Sequence, residues 1–424
     1  MNVNSPRTPR SRTVRPSLLA LALSSVIGGG IALAGPLTPP AGPVTSTYKT
    51  LTEVEPRIAI NATNTPGDAN SLFMITQPGS YYLTGNITGV AGRHGVEIAA
   101  SGVTLDLMGF DLSGLPASLD GVSATVSNLT NITVRNGSVR AWGDEGVDLG
   151  TNSADNSAVI DVRASGNAGS GITTDDGCTI TGCSAYNNTG DGILTGFGCT
   201  ITGCSATNNS ANGIVTSSSC TITACSASSN TGSGISTGFG CMITECTASY
   251  NGTGIATDDG CTITGCTAIE NTGSGISTGF GCMITECTAS FNGTGIATAS
   301  GCTISNCTAR SNTLDGIRVT SGCVVLANAC LFNGNGGSGA GIHATSSDNR
   351  IEGNNCTGAD RGIDVDSAGN IIIKNTCSGN ISNWEIAVGN VCLVILATPT
   401  VAAISGDSGG LSPGSTNPNA NFTY

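Results

Sequence analysis

Along the middle of the chain, apolar and polar positions alternate in short bursts. In Cys178-Thr179-Ile180-Thr181 the side chains of 178 and 180 share one face and those of 179 and 181 the other. The burst returns with Ile201, Ile222, Ile243, Ile263, Ile284 and Ile304 in the place of Ile180. Gly-, Asn- and Ser-rich stretches separate the bursts, which predicts short strands joined by tight turns. Helical periodicity is absent.

The bursts belong to a longer period. The Gly of a Gly-Ile or Gly-Val step falls at 95, 121, 146, 171, 192, 213, 234, 254, 275, 295, 316, 341 and 362. Successive steps lie 20 or 21 residues apart from 171 to 316, and 25 or 26 apart at the N-terminal end. A fixed period of this size means stacked units, none able to bury its apolar face alone. Several short strands per unit predict an all-β chain: a single-stranded right-handed parallel β-helix of about 13–14 rungs. Strands in adjacent rungs then lie about 4.8 Å apart, and the isoleucines stack inside. Residues 230–257 and 271–298 differ only at Tyr250 versus Phe291, a duplication two rungs long.

The units Gly192-Ile193 through Cys199-Thr200-Ile201-Thr202-Gly203-Cys204 to Asn208-Asn209 resemble repeats of the right-handed β-helix (pectin-lyase-like) superfamily, including its nitrous-oxide-maturation-like branch. The stretch from Ser101 to Phe110 is similar to that superfamily's N-terminal rungs, and the likeness covers about residues 75–398. It implies the fold. Lyases, hydrolases, epimerases and adhesins all use this architecture, so it implies no single activity.

Arg7, Arg10, Arg12 and Arg15 precede an apolar run ending in Ala32-Leu33-Ala34, the order of a secretory signal over residues 1–34. Residues 35–57 read as a Pro/Thr-rich linker and 58–94 as a cap with the first strands. The solenoid is expected over 95–398 and a flexible, disordered tail over 399–424. The chain is therefore expected outside the cytoplasm (secreted, periplasmic or on the cell surface), monomeric and without a transmembrane anchor after cleavage. Losing residues 1–34 would leave 11 basic against 28 acidic residues. That balance argues against nucleic acid as a partner and leaves a polysaccharide or the cell envelope.

Fourteen of the nineteen cysteines form pairs five apart, from 178/183 to 302/307. The spacing recurs every rung instead of closing a four-ligand set, which is not a zinc pattern. Buried thiols and inter-rung disulfides both remain open at this point. Gly406-Asp407-Ser408-Gly409-Gly410 spells a serine-protease signature, but His94 and His343 are the chain's two histidines and neither lies in an Ala-His-Cys setting. Asp175-Asp176 and Asp258-Asp259 fall four rungs apart, too far for one acid/base pair, and read as turn residues.

A sharper column appears when rungs are aligned on the Gly-Ile step. The residue before the Gly is His94, Asp120, Glu145, Ser170, Asp191 and Asn212 in turn. Stacked carboxylates of Asp120 and Glu145, with Asp144 and Asp148 nearby, are candidates for Ca²⁺ or for one raised pKa, against the plainer reading that short polar residues suit a turn. Asp120, Glu145 and Arg140 are the catalytic candidates, with Arg135 beside them. Asp364-x-Asp366-x-x-Gly369 is a truncated echo of a calcium loop. Phe197, Phe239 and Phe280 share one turn position on alternate rungs, a candidate carbohydrate-stacking row. The Thr-x-Thr pairs from Thr179/Thr181 onward resemble the face of ice-binding β-helices, interrupted at Met242 and Met283.

The function expected is thus an exported, non-catalytic β-helix that binds carbohydrate or the cell envelope. The alternative is a Ca²⁺-dependent lyase, a hydrolase or an epimerase acting on polysaccharide.

Overall fold

A computed structural model of the chain describes residues 56–150, 154–335, 337–396 and 418–423. Every named strand among them pairs in parallel, and each turn of chain lies on the one before it. One sheet stacks fifteen strands in chain order, from Ser71–Ile75 to Ser382–Ile386. That exceeds the 13–14 rungs expected, because these first and last strands lack the Gly-Ile step used for counting. The other sheet carries two strands per regular turn, such as Thr179–Thr181 and Ser184–Tyr186. A single residue in the left-handed region bends the chain between them: Gly182 and Gly203 in two turns, Ala224 and Glu245 in the next. The solenoid is right-handed, as parallel crossovers require.

Register holds as the repeat demands. Ile180, Ile201, Ile222, Ile243, Ile263, Ile284 and Ile304 pair residue to residue and are fully buried. The threonines on either side of them face outward.

Corners interrupt the sheet ladders, so the backbone N–H groups there need other acceptors. At one corner Asn188, Asn209, Asn230, Asn251 and Asn271 form a buried file. Each Oδ1 accepts the backbone N–H and the Nδ2 of the preceding Asn at 2.9–3.1 Å. This file explains the Gly-Ile step. A Cβ on Gly171 would lie 2.7 Å from the Gly192 carbonyl and 2.8 Å from Asn188 Nδ2, so only Gly fits.

Cysteine does a similar job at the other two corners. Cys178 N–H donates to Cys199 Sγ at 3.2 Å, and Cys204 N–H to Cys225 Sγ at 3.4 Å. Toward the C-terminus Asn takes over both files, with Cys323 N–H donating to Asn349 and Cys307 N–H to Asn328. All nineteen cysteines are free thiols. They are therefore polar acceptors as well as apolar fillers.

The end of the chain departs from the expected tail. Asn421–Thr423 pairs in parallel with Thr376-Cys377 and with Val394–Leu396, and Asn421 Oδ1 accepts from Asn375. Asn421 ends the second corner's file, which gives the terminus a reason to return. The secretory signal, most of the linker and the Gly406–Gly410 motif lie outside the described residues.

Candidate functional site

The column before the Gly step survives the longer N-terminal loops. Gly95 N–H donates to the Asp120 carbonyl, Gly121 N–H to that of Glu145 and Gly146 N–H to that of Ser170, at 2.9–3.1 Å. The column residues His94, Asp120 and Glu145 stand two positions ahead of the buried Val96, Val122 and Val147 of the smaller sheet. Trp142 anchors the approach to Glu145: it is buried, its backbone N–H donates to Asn167 and its ring N–H to the Leu112 carbonyl.

Within the column, His94 Nδ1 lies 3.1 Å from Asp120 Oδ2, and Asp120 Oδ1 accepts the Glu145 backbone N–H at 3.1 Å. Asp120, Asp144 and Glu145 bring one carboxylate oxygen each within 4.8 Å of one another. Gly169 closes over the pair; a Cβ there would lie 2.9 Å from both Asp144 Oδ1 and Glu145 Oε1. Burial, the hydrogen bond with Asp144 and the charges of Asp144, Asp120 and Asp148 push Glu145 up to about 8. Burial depresses the His94 pKa, but its bond to Asp120 and the surrounding carboxylates outweigh this and leave it raised. A carboxyl raised in this way can donate a proton or, on losing it, take a cation.

Three of the predicted participants do not join this set. Asp148 is buried on the smaller sheet and acts through its charge, while its Oδ1 accepts from Gly150 N–H. Arg140, the candidate catalytic arginine, belongs to the other sheet and binds Asp111 at 2.7 and 2.8 Å. Arg135 likewise binds Asp106. The strand Thr133–Arg140 turns its outward charges toward its neighbours on that sheet, so neither arginine serves the carboxylates. Further along the column the plain turn role holds: Asp191 Oδ1 accepts from Asn212, and Asn212 Oδ1 from Ser233 N–H.

A second charged cluster was missed. His343 Nδ1 lies 3.0 Å from Asp315 Oδ2, and its Nε2 lies 3.0 Å from Asp366 Oδ2 and 3.7 Å from Asp364 Oδ2. The Asp315 bond, which outweighs burial, together with Asp366 and Asp364, pushes His343 up to about 9. Arg361 pairs with Asp364 and with Glu385. Asp364 and Asp366, the calcium-loop echo of the sequence, each bring a carboxylate oxygen within 4.8 Å of a ring nitrogen of His343, a set able to hold a cation. Asp315 also precedes a Gly step, and extending the column to Gly316 would have found it.

Phe197, Phe239 and Phe280 stand 56–59% exposed. Their backbone N–H groups donate to Asp176 Oδ1, Ser218 Oγ and Asp259 Oδ1 of the preceding rung. The paired aspartates are thus turn residues, as expected, and their bonds reach across rungs.

The family described as "Right handed beta helix region" matches residues 75–223, 198–304 and 276–393. No curated protein matches the chain. Among solved structures, the A-module of the mannuronan C-5 epimerase AlgE6 of Azotobacter vinelandii aligns at 14% identity and TM-score 0.36, over 82% of this chain and 90% of that one. A GH87 α-1,3-glucanase catalytic domain aligns at 13% identity and TM-score 0.45, over 69% and 63%. Pectate lyase Pel9A aligns at 14% and 0.33, over 66% and 71%.

Proposed function

The chain belongs to the right-handed β-helix family, and from that premise we propose that it is an exported carbohydrate-binding solenoid. The observation that supports this reading is the row of Phe197, Phe239 and Phe280. Three large rings stand more than half exposed at one corner, their backbones tied to the rung below, with no core to fill. Exposed rings in a polar setting offer stacking faces for sugars. The test is a glycan array probed with the protein and with a Phe197→Ser, Phe239→Ser, Phe280→Ser variant. Binding that the variant loses supports the reading; an array with no hits overturns it.

A second reading, polysaccharide cleavage, is favoured by Glu145. A carboxyl held up to about 8 beside Asp120 suits a general acid. Asp120, Asp144 and Glu145 would hold Ca²⁺ if the Glu145 proton were displaced, and the cation would then bridge to an acidic sugar. Incubating uronic-acid and neutral polysaccharides with wild type and Glu145→Gln, with and without calcium, decides it by reducing ends and unsaturated products.

A further inference from the structure

A second row of aromatic side chains lies at a different corner. Tyr250, Phe291 and Phe332 are 52–58% exposed and have φ of 58°, 59° and 56°. Backbone bonds fix their alignment. Tyr250 N–H donates to Ile269, Glu270 N–H to Ser290, Phe291 N–H to Arg310 and Ser311 N–H to Leu331, so the file runs Tyr250, Glu270, Phe291, Ser311, Phe332. The aromatics take every second rung, about 10 Å apart.

The left-handed backbone is imposed by the corner. Asn187, Asn208, Ser229, Glu270 and Ser311 adopt it at the same position with φ of 54–58°. Asn is at ease there and a bulky aromatic is not. The file nevertheless places rings at three of these sites, each more than half exposed. The rings also reach along the solenoid. Glu270 lies near enough to Tyr250 to raise the pKa of its hydroxyl, and Phe332 lies against Gly358, where a Cβ would sit 2.5 Å from the ring. Tyr250 shares its rung with Phe239, and Phe291 shares its rung with Phe280, so the two rows keep step on either side of the larger sheet.

We propose that Tyr250, Phe291 and Phe332 form a second carbohydrate-stacking edge for an uncharged, extended β-linked polysaccharide lying along the solenoid axis. The proposal rests on the carbohydrate-binding reading and adds a site and a ligand class to it. A two-rung step suits a chain whose sugars repeat their orientation every second residue. The net charge of −13 and the Glu270 carboxylate in the file disfavour an anionic chain.

The experiment is depletion of the protein from solution by insoluble cellulose and chitin, with alginate gel as the anionic control. The first variant carries Tyr250→Asn, Phe291→Asn and Phe332→Asn; Asn suits the left-handed corner, so its melting temperature should equal or exceed wild type. The second carries the three Phe→Ser changes of the first row. The expected result is retention of wild type on cellulose or chitin and at least about tenfold weaker retention of the Asn variant. Undiminished retention of the Asn variant overturns the second edge; if the Ser variant alone loses retention, the first row's role stands. Retention on alginate alone, or on no polymer, also overturns the proposal, and the glycan array then decides the broader reading separately.

Discussion

The Glu145 backbone N–H donates to the Asp120 carboxylate of the preceding rung at 3.1 Å, while the Glu145 carboxyl is held protonated up to about 8. One residue thus ties the rung to its neighbour and stores a proton beside three other acids. Asp144 supplies the largest effect after burial, so Asp144→Asn should bring the Glu145 midpoint well below 8. A carboxyl-carbon titration followed by NMR reads it; an unmoved midpoint would show that Asp144 does not set it.

Glu145 also gives a signed pH dependence. Its folded pKa is raised above 4.5, so its stabilising effect is full below about 4.5 and is lost as pH rises to about 8. Wild type should therefore lose stability across that interval relative to Glu145→Gln, measured by urea unfolding at successive pH values. Parallel profiles for the two proteins would contradict the assignment.

His343 has the same sign in a higher window. Its effect is full below 6.5 and lost as pH rises through about 9, when the imidazolium facing Asp315, Asp364 and Asp366 discharges. In His343→Gln those carboxylates lose their cation, with Arg361 still on Asp364. The variant should melt several degrees lower at pH 6, and the gap should close by pH 10. A gap independent of pH would point to lost packing instead.

Asn251 sits mid-file and accepts from Asn230 N–H and Nδ2 while donating to Asn271 and to the Ala227 carbonyl. Asn251→Ala strands two buried donors of Asn230, at a cost of about 2 kcal/mol or more. The fall in urea midpoint measures it. Asn251→Asp keeps the acceptor for Asn230 but sets a carboxylate oxygen against the Asn271 Oδ1 and the Ala227 carbonyl, so its urea midpoint should fall as well.

Eighteen of the nineteen cysteines are buried and Cys392 is half-buried. A thiol reagent should modify at most Cys392 rapidly in the native protein, and all nineteen after denaturation without reductant. A lower count in denaturant would reveal disulfides.

The solenoid was legible because its evidence is local. Ile180 and its equivalents alternate with outward threonines at a fixed interval, and a strand has only two faces. The Asp120–Glu145 column was legible for the same reason, since the Gly step marks register. Asn208-Asn209 read only as a turn, because nothing local says that Asn209 is buried while Asn208 adopts φ of 58°. Arg140 was misplaced because closeness in sequence to Asp144 does not reveal which sheet a strand joins.

By itself, then, the amino-acid order determined the period, the inward and outward faces and the parallel stacking, all properties of a repeat read along the chain. The tertiary structure alone decided that Cys and Asn share the corner files, that Arg140 serves Asp111, that His343 gathers three aspartates and that Asn421 returns to the last turns. Those outcomes depend on loops of unequal length and on partners 20 to 46 residues away, where electrostatics and unmet hydrogen bonds act through space.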